Sequence, residues 1–208
     1  MSQFFTLHPE HPQPRLIKQA ADIVRKGGLV ALPTDAAYAL GGHTGDAALL
    51  DRIRRIRQVD ERHLFTLMCR DLSEIATYAR VDNSQYRFLK AATPGAYTFI
   101  LEGTKELPRR VLHPKRKTLG LRVPDHPLVK ALLEELNEPL LVSTLILPEE
   151  DQPLSDAEDI RERLEKHLDL ILDCGSCGTE MTTVINLVDG APELVRTGCG
   201  PLAPLGLE

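Results

Sequence analysis

The sequence predicts an α/β protein in which helices flank one twisted sheet of mixed parallel and antiparallel strands. Short apolar runs of strand length alternate with amphipathic helical segments along the chain, as expected for such a sheet. The dipeptide Asp189-Gly190 between two strand-like runs predicts a hairpin, and therefore an antiparallel pair. A length of 208 residues favours one domain over two, so we expect a single domain across residues 1–208.

The predicted helices have apolar residues at helical spacing and residues at their ends that favour starts and stops. The first covers residues 16–24, and Gly27-Gly28 after it is typical of a helix C-terminus. The predicted starts of later helices are Asp46, Asp71, Pro127 and a capping box of Ser155 and Glu158.

The predicted strands are short and apolar. They lie within residues 29–32, 65–69, 96–103, 118–124, 139–146, 169–175, 182–188 and 192–196. Apolar residues alternate through Leu119, Leu121 and Val123, so we expect one face of that strand to be buried. Residues 33–35, Pro-Thr-Asp, separate two apolar runs by more than a hairpin needs, which indicates a turn with a further role.

The composition excludes several classes of protein. No apolar run approaches the ~20 residues of a membrane span. The start of the chain also lacks the basic-then-apolar order of a signal peptide, so we expect a cytoplasmic protein without a membrane partner. The net charge is −5, yet residues 52–63 and 105–117 are rich in Arg and Lys. These segments can present a positive surface to phosphates or can be solvated surface charge.

Four cysteines are too few for a disulfide framework, and free thiols fit a reducing compartment. Cys174 and Cys177 form one C-x-x-C, with His167 and Cys199 not far away in sequence. A structural zinc site normally has a second, tightly spaced pair of ligands, so we expect no structural metal and leave the role of this pair open. Cys69 ends an apolar strand and is interpreted as a core residue.

Polar residues near strand ends are the candidates for ligand binding, because ligands of open α/β sheets bind at such loops. Thr34 and Tyr38 follow the first predicted strand, and Thr34 can either orient a polar ligand or cap a turn. Thr98 lies in a strand that follows a Pro-Gly turn. Arg122 and Arg196 each lie two residues from a glycine, which lets an anion approach the backbone, but both can instead be edge charges.

Five segments taken together resemble the YrdC-like family in order and spacing, and among its members the YciO-type subgroup. They are LPTDAAYALGG at residues 32–42, TPGAYTFIL at 93–101, LGLRVPDHP at 119–127, TTVINL at 182–187 and LVRTG at 194–198. The resemblance covers residues 16–198, nearly the whole chain. It implies a twisted α/β sheet with a large, concave, positively charged cavity.

The resemblance also implies an activity. Catalytic members are threonylcarbamoyl-AMP synthases, which join L-threonine, bicarbonate and ATP, with Mg²⁺, into threonylcarbamoyl-AMP and pyrophosphate for a tRNA modification. The resemblance assigns substrate binding to Thr34, Tyr38, Thr98 and Thr182, and nucleotide binding to Arg57, Arg122, Ser143 and Arg196. It makes Arg57 and Ser143 the catalytic candidates.

Several positions depart from the family pattern, including a mild departure from T-[DE]-T in the segment PTDAAYAL at residues 33–40. Val59 stands where the K-x-R of the synthases has its second cation, and Leu145 stands where their S-x-N has its asparagine. Asn186 replaces the usual aspartate. Loss of one preorganised donor slows catalysis on the order of a hundredfold or more, so we expect synthesis of reduced efficiency.

Two other functions remain open. The same cavity can bind nucleotide, tRNA or double-stranded RNA without catalysis, or it can transfer an acyl or carbamoyl group from another substrate. The candidate RNA contacts are Arg109, Arg110, Lys115, Arg116 and Lys117. Such contacts to phosphate predict binding that weakens steeply with salt, although the sequence has no aromatic RNA-binding segment.

Overall fold

The computed structural model describes residues 1–207, so the last residue of the expected domain lies outside the described part. The helices are α1 (Pro14–Arg25), α2 (Ala47–Arg57), α3 (Leu72–Tyr78), α4 (Asn83–Ala92), α5 (Pro127–Leu136) and α6 (Ala157–Leu164). The strands are β1 (Gln3–Thr6), β2 (Val30–Leu32), β3 (Ala39–His43), β4 (Thr66–Met68), β5 (Tyr97–Glu102), β6 (Thr118–Arg122), β7 (Leu140–Thr144), β8 (Leu170–Asp173), β9 (Thr183–Asn186) and β10 (Glu193–Arg196).

All these strands form one sheet in the order β1-β8-β2-β3-β7-β4-β6-β5-β9-β10. Its pairs are mixed: β2 and β3 run antiparallel, whereas β4 and β6 run parallel. β9 and β10 form the antiparallel pair that Asp189-Gly190 predicts. The predicted mixed sheet with flanking helices is therefore confirmed.

Helices cover both faces of the sheet. On one face, α1 and α5 pack against the strands through residues such as Ala20 and Leu132. On the other face, α2, α3, α4 and α6 contribute to a larger apolar core that includes Leu50 and Ile160. This two-sided cover explains why all five residues of β6 are buried, where the alternating sequence predicts one buried face.

Cap hydrogen bonds confirm two of the four predicted helix starts, and Pro127 opens α5 as predicted. The Asp46 and Asp71 side chains accept from backbone N–H groups in the first turns of α2 and α3. The predicted capping box before α6 is wrong, because Asp156 rather than Ser155 is the N-cap and accepts from the Asp159 N–H. The helix begins one residue later than predicted, so the N3 donor is the Asp159 N–H, and the Asp156 side chain accepts from it.

The sequence reasoning missed two elements. β1 pairs in parallel with β8 at one edge of the sheet. α4 begins with a capping box in which the Asp82 and Gln85 side chains each bond the other residue's backbone N–H. Within residues 1–207, none of the helices combines the length and apolar character needed to cross a bilayer.

Candidate functional site

A cavity of about 530 Å³ lies over the central strands of the sheet. Residues of β3, β4, β5, β6, β7, β9 and β10 line it, so the sheet itself forms its concave floor. The polar side chains used below are Arg57, His63, Thr98, Arg122, Ser143, Thr182 and Arg196. Among residues 1–207, the lining contains three arginines and no Asp or Glu, and its volume suits a small ligand.

At one end of the cavity, Arg57, His63 and Ser143 meet; we refer to these three residues as the Arg57 cluster. Arg57 Nη1 donates to Ser143 Oγ at 2.7 Å and lies 3.2 Å from His63 Nε2. His63 Nε2 lies 2.9 Å from Ser143 Oγ, which closes a triangle. The last turn of α2 supplies Arg57, β7 supplies Ser143, and the loop before β4 supplies His63.

The electrostatics of the Arg57 cluster follow from burial and from the positive charge of its arginine. Burial, together with Arg57 and Arg54, lowers the pKa of His63 to about 4, while Asp60 acts weakly in the opposite direction. Burial also lowers the pKa of Arg57, although a guanidinium stays charged in proteins. The cluster at neutral pH is therefore one cation, one neutral imidazole and one hydroxyl.

Arg122 makes a different environment within the same cavity. Its guanidinium Nη2 donates to the Asp35 carboxylate, and the other oxygen of Asp35 accepts from the Asp125 N–H at 2.8 Å. Burial lowers the pKa of Arg122 and Asp35 opposes that shift. Arg122 Nε is buried and has no hydrogen-bond partner among the described residues. A buried donor without a partner is rare and carries a desolvation cost that no hydrogen bond offsets.

Two threonine hydroxyls and a third arginine lie next to Arg122 in the lining. Thr98 Oγ1 and Thr182 Oγ1 share a hydrogen bond of 2.8 Å. Arg196 donates from Nη2 to the Thr182 carbonyl at 2.9 Å. Gly120 lets the neighbouring side chains approach, because a Cβ there would lie 2.7 Å from the Thr66 hydroxyl and 2.8 Å from the Thr98 methyl.

Two of the predicted substrate contacts point elsewhere. Thr34 Oγ1 donates to the Ala37 carbonyl and accepts from the Ala36 and Ala37 N–H groups, so this hydroxyl caps its own turn. Tyr38 is fully buried and donates to the Leu172 carbonyl at 3.0 Å, and burial raises its pKa far above the ordinary value. Neither side chain lines the cavity, and their contact with a substrate stays a prediction.

The five predicted RNA contacts lie outside the cavity. Arg109 and Arg110 belong to a short 3₁₀ turn, and Lys115, Arg116 and Lys117 follow in the loop before β6. All five are exposed, and Arg110 donates to the Gly45 carbonyl. We refer to these five residues as the basic loop.

The cysteines do not assemble a metal site in the part of the chain that the structure describes. No three His, Cys, Asp or Glu side chains within residues 1–207 are arranged to hold a metal ion. Cys174 lies 3.8 Å from His126 Nε2, while Cys177 donates to the Thr34 carbonyl at 3.3 Å. Burial raises the pKa of Cys174 to about 11, so this thiol is protonated at neutral pH.

The fit of the cavity to Mg²⁺ is also poor. Mg²⁺ needs oxygen ligands, commonly one or two carboxylates together with substrate phosphates. The described lining offers no carboxylate, and Asp35 beside it is engaged by Arg122. We therefore derive no step from an ion held by the protein.

Sequence reasoning missed two residues of the site. His63 follows a charged loop and directly precedes Leu64 and a buried strand, and nothing in that context separates it from a surface histidine. Asp35 lies in the Pro-Thr-Asp turn that separates the two apolar runs. Its acidic side chain next to a predicted cationic site is the signal that could have identified it.

A match to a protein-family model shows which proteins this chain is related to. The model of the Sua5/YciO/YrdC domain, whose description reads "Telomere recombination", matches residues 22–198. The chain belongs to the Sua5/YciO/YrdC family. The resemblance that the five sequence segments predict is confirmed.

Similar proteins of the Sua5/YciO/YrdC family include one of high identity. The chain is 55% identical over 204 residues to YciO of Escherichia coli (strain K12), described as uncharacterized, with 98% of this chain and 99% of YciO covered. The crystal structure of E. coli YciO matches with a TM-score of 0.95 over 99% of this chain and 100% of that chain. The YciO-type assignment is therefore confirmed.

More distant Sua5/YciO/YrdC relatives have named activities or ligands. Threonylcarbamoyl-AMP synthase of Mus musculus is 27% identical over 191 residues, which cover 88% of this chain and 67% of that protein. P. abyssi Sua5 complexed with L-threonine has a TM-score of 0.88 at 23% identity, over 97% of this chain and 59% of that chain. The second match is a likeness of fold.

The positions that depart from the Sua5/YciO/YrdC synthase pattern lie beside the cavity rather than in its lining. Val59 is partly buried in the loop after α2, and its N–H donates to the Arg54 carbonyl at 3.2 Å. Leu145 is fully buried in the larger core, just after β7. An apolar residue at position 145 thus contributes to packing, and an asparagine there would need a buried partner.

Proposed function

We propose that this protein synthesises threonylcarbamoyl-AMP from L-threonine, bicarbonate and ATP, at a lower rate than family members with complete K-x-R and S-x-N motifs. The observation that carries the proposal is the cavity lining, in which cations and hydroxyls converge without a lining carboxylate. Threonine as substrate is supported by the L-threonine complex of P. abyssi Sua5, and ATP by the named activity of the Mus musculus relative.

The Arg57 cluster suits the phosphates of ATP. In the reaction, a carbamate oxygen formed from threonine and bicarbonate attacks the α-phosphorus, and negative charge moves onto the departing pyrophosphate. Arg57 is held by Ser143 and has no competing carboxylate among residues 1–207. A fixed guanidinium can therefore stabilise that charge in a partly dry site.

The other end of the cavity suits threonine. Its carboxylate needs cationic or N–H donors, which Arg196 in the lining offers. The paired hydroxyls of Thr98 and Thr182 can exchange their mutual bond for bonds to the substrate. The two ends together would hold the carbamate beside the α-phosphate, which lowers the entropic cost of reaction.

The reduced rate follows from the two departures. Val59 removes a cation and Leu145 removes an amide that the synthase pattern carries. Each lost donor weakens transition-state stabilisation by roughly a hundredfold, although groups acting as a unit are not additive.

Pyrophosphate release tests the proposal. We expect release only when ATP, L-threonine and bicarbonate are all present, with a product of the mass of threonylcarbamoyl-AMP. Arg57→Met should reduce the rate at least tenfold, while Arg109→Met, outside the cavity, should leave it unchanged. Release by the unaltered chain that is no faster than by Arg57→Met would contradict the proposal.

A second function is favoured by the basic loop. Five exposed cations lie within nine residues of chain, and none of them belongs to the cavity lining. A double-stranded RNA or tRNA is too wide to enter a cavity of about 530 Å³, so it would contact this outer surface. We infer weak, salt-dependent binding of RNA backbone at the basic loop, either beside synthesis or in place of it.

A further inference from the structure

The Arg57 cluster concentrates three groups that can all donate hydrogen bonds. Its distances of 2.7, 2.9 and 3.2 Å bring a guanidinium, a hydroxyl and an imidazole around one point of the cavity wall. No carboxylate within residues 1–207 forms an ion pair with Arg57 or His63, in contrast to Arg122 with Asp35. The cluster therefore lacks an anion.

The hydrogen-bond geometry favours one neutral tautomer of His63 in the free protein. Arg57 Nη1 can only donate, so its 3.2 Å contact with His63 Nε2 is a hydrogen bond when Nε2 presents its lone pair. The imidazole proton then resides on Nδ1. Protonation of Nε2 would place two donors face to face at 3.2 Å, which is unfavourable while nothing negative lies between them.

The charged groups that act on His63 come from two sides. Arg57 and Arg54, both on α2, disfavour its cationic form, and Asp60 in the preceding loop favours that form. β7 contributes Ser143, which is neutral, and the ring of Phe65 packs edge-on against the imidazole at 5.1 Å. Burial and the two arginines keep the imidazole neutral.

A phosphate-type dianion bound at this point would reverse that balance. Its oxygens would accept from Arg57 and could also accept from Nε2–H, which removes the repulsion between the two donors. An opposite charge within about 4–6 Å raises the pKa of a histidine by roughly 1–3 units, and a dianion acts in the same direction more strongly. Protonated His63 can then donate to the anion through Nε2–H, which the neutral form with its proton on Nδ1 cannot do.

We propose that His63 takes up one proton when a phosphate-type dianion binds beside Arg57 and Ser143, so that the cavity binds its anion and a proton together. The inference rests on the proposed function in that it concerns the same phosphate site. It also predicts that a phosphate-type dianion raises the pKa of His63 more than a monoanionic carboxylate does. The single negative charge of a carboxylate is already compensated by Arg57. His63 would thereby serve as a conditional cation in a chain that lacks the second cation of K-x-R.

The sign of the pH dependence follows from linkage. The pKa of His63 in the free protein is about 4, and in the complex it is higher. Affinity should therefore rise as pH falls, up to tenfold per pH unit, between the pKa of the complex and the pKa of the free protein. Above the pKa of the complex, the affinity should be independent of His63 titration.

The test is a titration of the imidazole Cε1–H signals by nuclear magnetic resonance, using the full-length protein. The probes are sulfate, which is a dianion and does not itself titrate in this pH range, and inorganic pyrophosphate; acetate is the monoanion control. His63→Gln identifies the His63 signal by its loss. The measurement of the pKa needs only the unaltered chain.

We expect a His63 pKa below 5 without a probe and at least 1 unit higher with saturating sulfate or pyrophosphate. A His63 pKa that does not rise with either dianion overturns the inference, and so does failure of both to bind. Because neither probe requires turnover, synthesis without a pKa rise defeats this inference alone. A pKa rise without synthesis defeats only the proposed function.

An affinity profile gives an independent readout. ATP affinity should increase more steeply with falling pH in the unaltered chain than in His63→Gln, and the titration of ATP itself cancels in the comparison. His63→Gln keeps an acceptor for Arg57 but cannot take up the proton. Parallel profiles for the two proteins would contradict proton uptake by His63.

Discussion

Two arginines line the same cavity and differ in what compensates their charge. Arg122 is almost fully buried and paired with Asp35, which in turn accepts from the backbone at Asp125. Arg57 is held only by a serine, a histidine and, at 3.4 Å, the Ile146 carbonyl. One guanidinium is thus compensated by an ion pair within the fold, whereas the other is not, and we propose that it is the one that receives the ligand.

The largest expected effect comes from breaking the compensated pair. Asp35→Ala should lower the free energy of unfolding by about 3–5 kcal/mol, because it leaves the Arg122 charge buried without a partner. Arg57→Met should change it by less than about 1 kcal/mol, since no ion pair is lost. Urea unfolding measures both.

A double variant checks the cause of that loss. Asp35→Ala combined with Arg122→Met should be more stable than Asp35→Ala alone, because the uncompensated charge is gone. If Arg57→Met proved as destabilising as Asp35→Ala, the distinction between a structural and a ligand-binding arginine would not hold.

The next effect concerns the departures beside the Arg57 cluster. Leu145→Asn should cost about 3 kcal/mol or more, because it removes core packing and buries an amide. Val59→Arg should be nearly neutral for stability, since the site is only partly buried, and should raise pyrophosphate release. Thermal melting and the rate assay measure both; a Leu145→Asn protein as stable as the unaltered chain would show that this side chain can reach the cavity.

A smaller effect should appear in acid. The folded-state pKa of His63, about 4, lies below the ordinary value of 6.5, so the unfolded chain binds more protons in between. The stabilisation from a neutral His63 is fully present above pH 6.5 and is lost as pH falls to about 4. His63→Gln should therefore lose less stability than the unaltered chain across this window, as followed by urea unfolding at each pH. Equal losses of stability in the two proteins would show that a group other than His63 titrates in this window.

The smallest effect on the cavity should come from the basic loop. Neutralising Arg109, Arg110, Lys115, Arg116 and Lys117 should weaken duplex RNA binding whatever its sequence and reduce its dependence on salt. The same variant should keep its ATP affinity, because none of these side chains lines the cavity. RNA binding that ignores both salt and these substitutions would exclude the basic loop as its surface.

The fold could be predicted from sequence further than the site. Alternation of strands and helices and the Asp189-Gly190 turn were enough for the mixed sheet, because these signals are local. β1 could not be predicted because its formation depends on pairing with β8, about 167 residues away in sequence. The S-x-x-E pattern predicts Ser155 as the N-cap, but Asp156 beside it also favours caps, and only the backbone path decides between them.

The candidate site could likewise be predicted only in part from the sequence. Segment matches directed attention to Arg57, Arg122 and Ser143, all of which line the cavity. They could not reveal the hydrogen bond from Arg122 to Asp35, or that His63 Nε2 lies 2.9 Å from Ser143 Oγ. Both contacts join residues that are 80 or more positions apart in sequence. Thr34 was ambiguous between ligand contact and turn cap, and its three hydrogen bonds show the cap.

The most direct test of the account is the calorimetric affinity for ATP of the unaltered chain, Arg57→Met and Arg109→Met. The account predicts that Arg57→Met weakens ATP binding by about 1.5–3 kcal/mol, roughly tenfold to a hundredfold, because a charge-assisted contact to phosphate is lost. Arg109→Met should bind ATP like the unaltered chain. Equal ATP affinity in all three folded proteins would contradict the claim that the uncompensated Arg57 receives the phosphates.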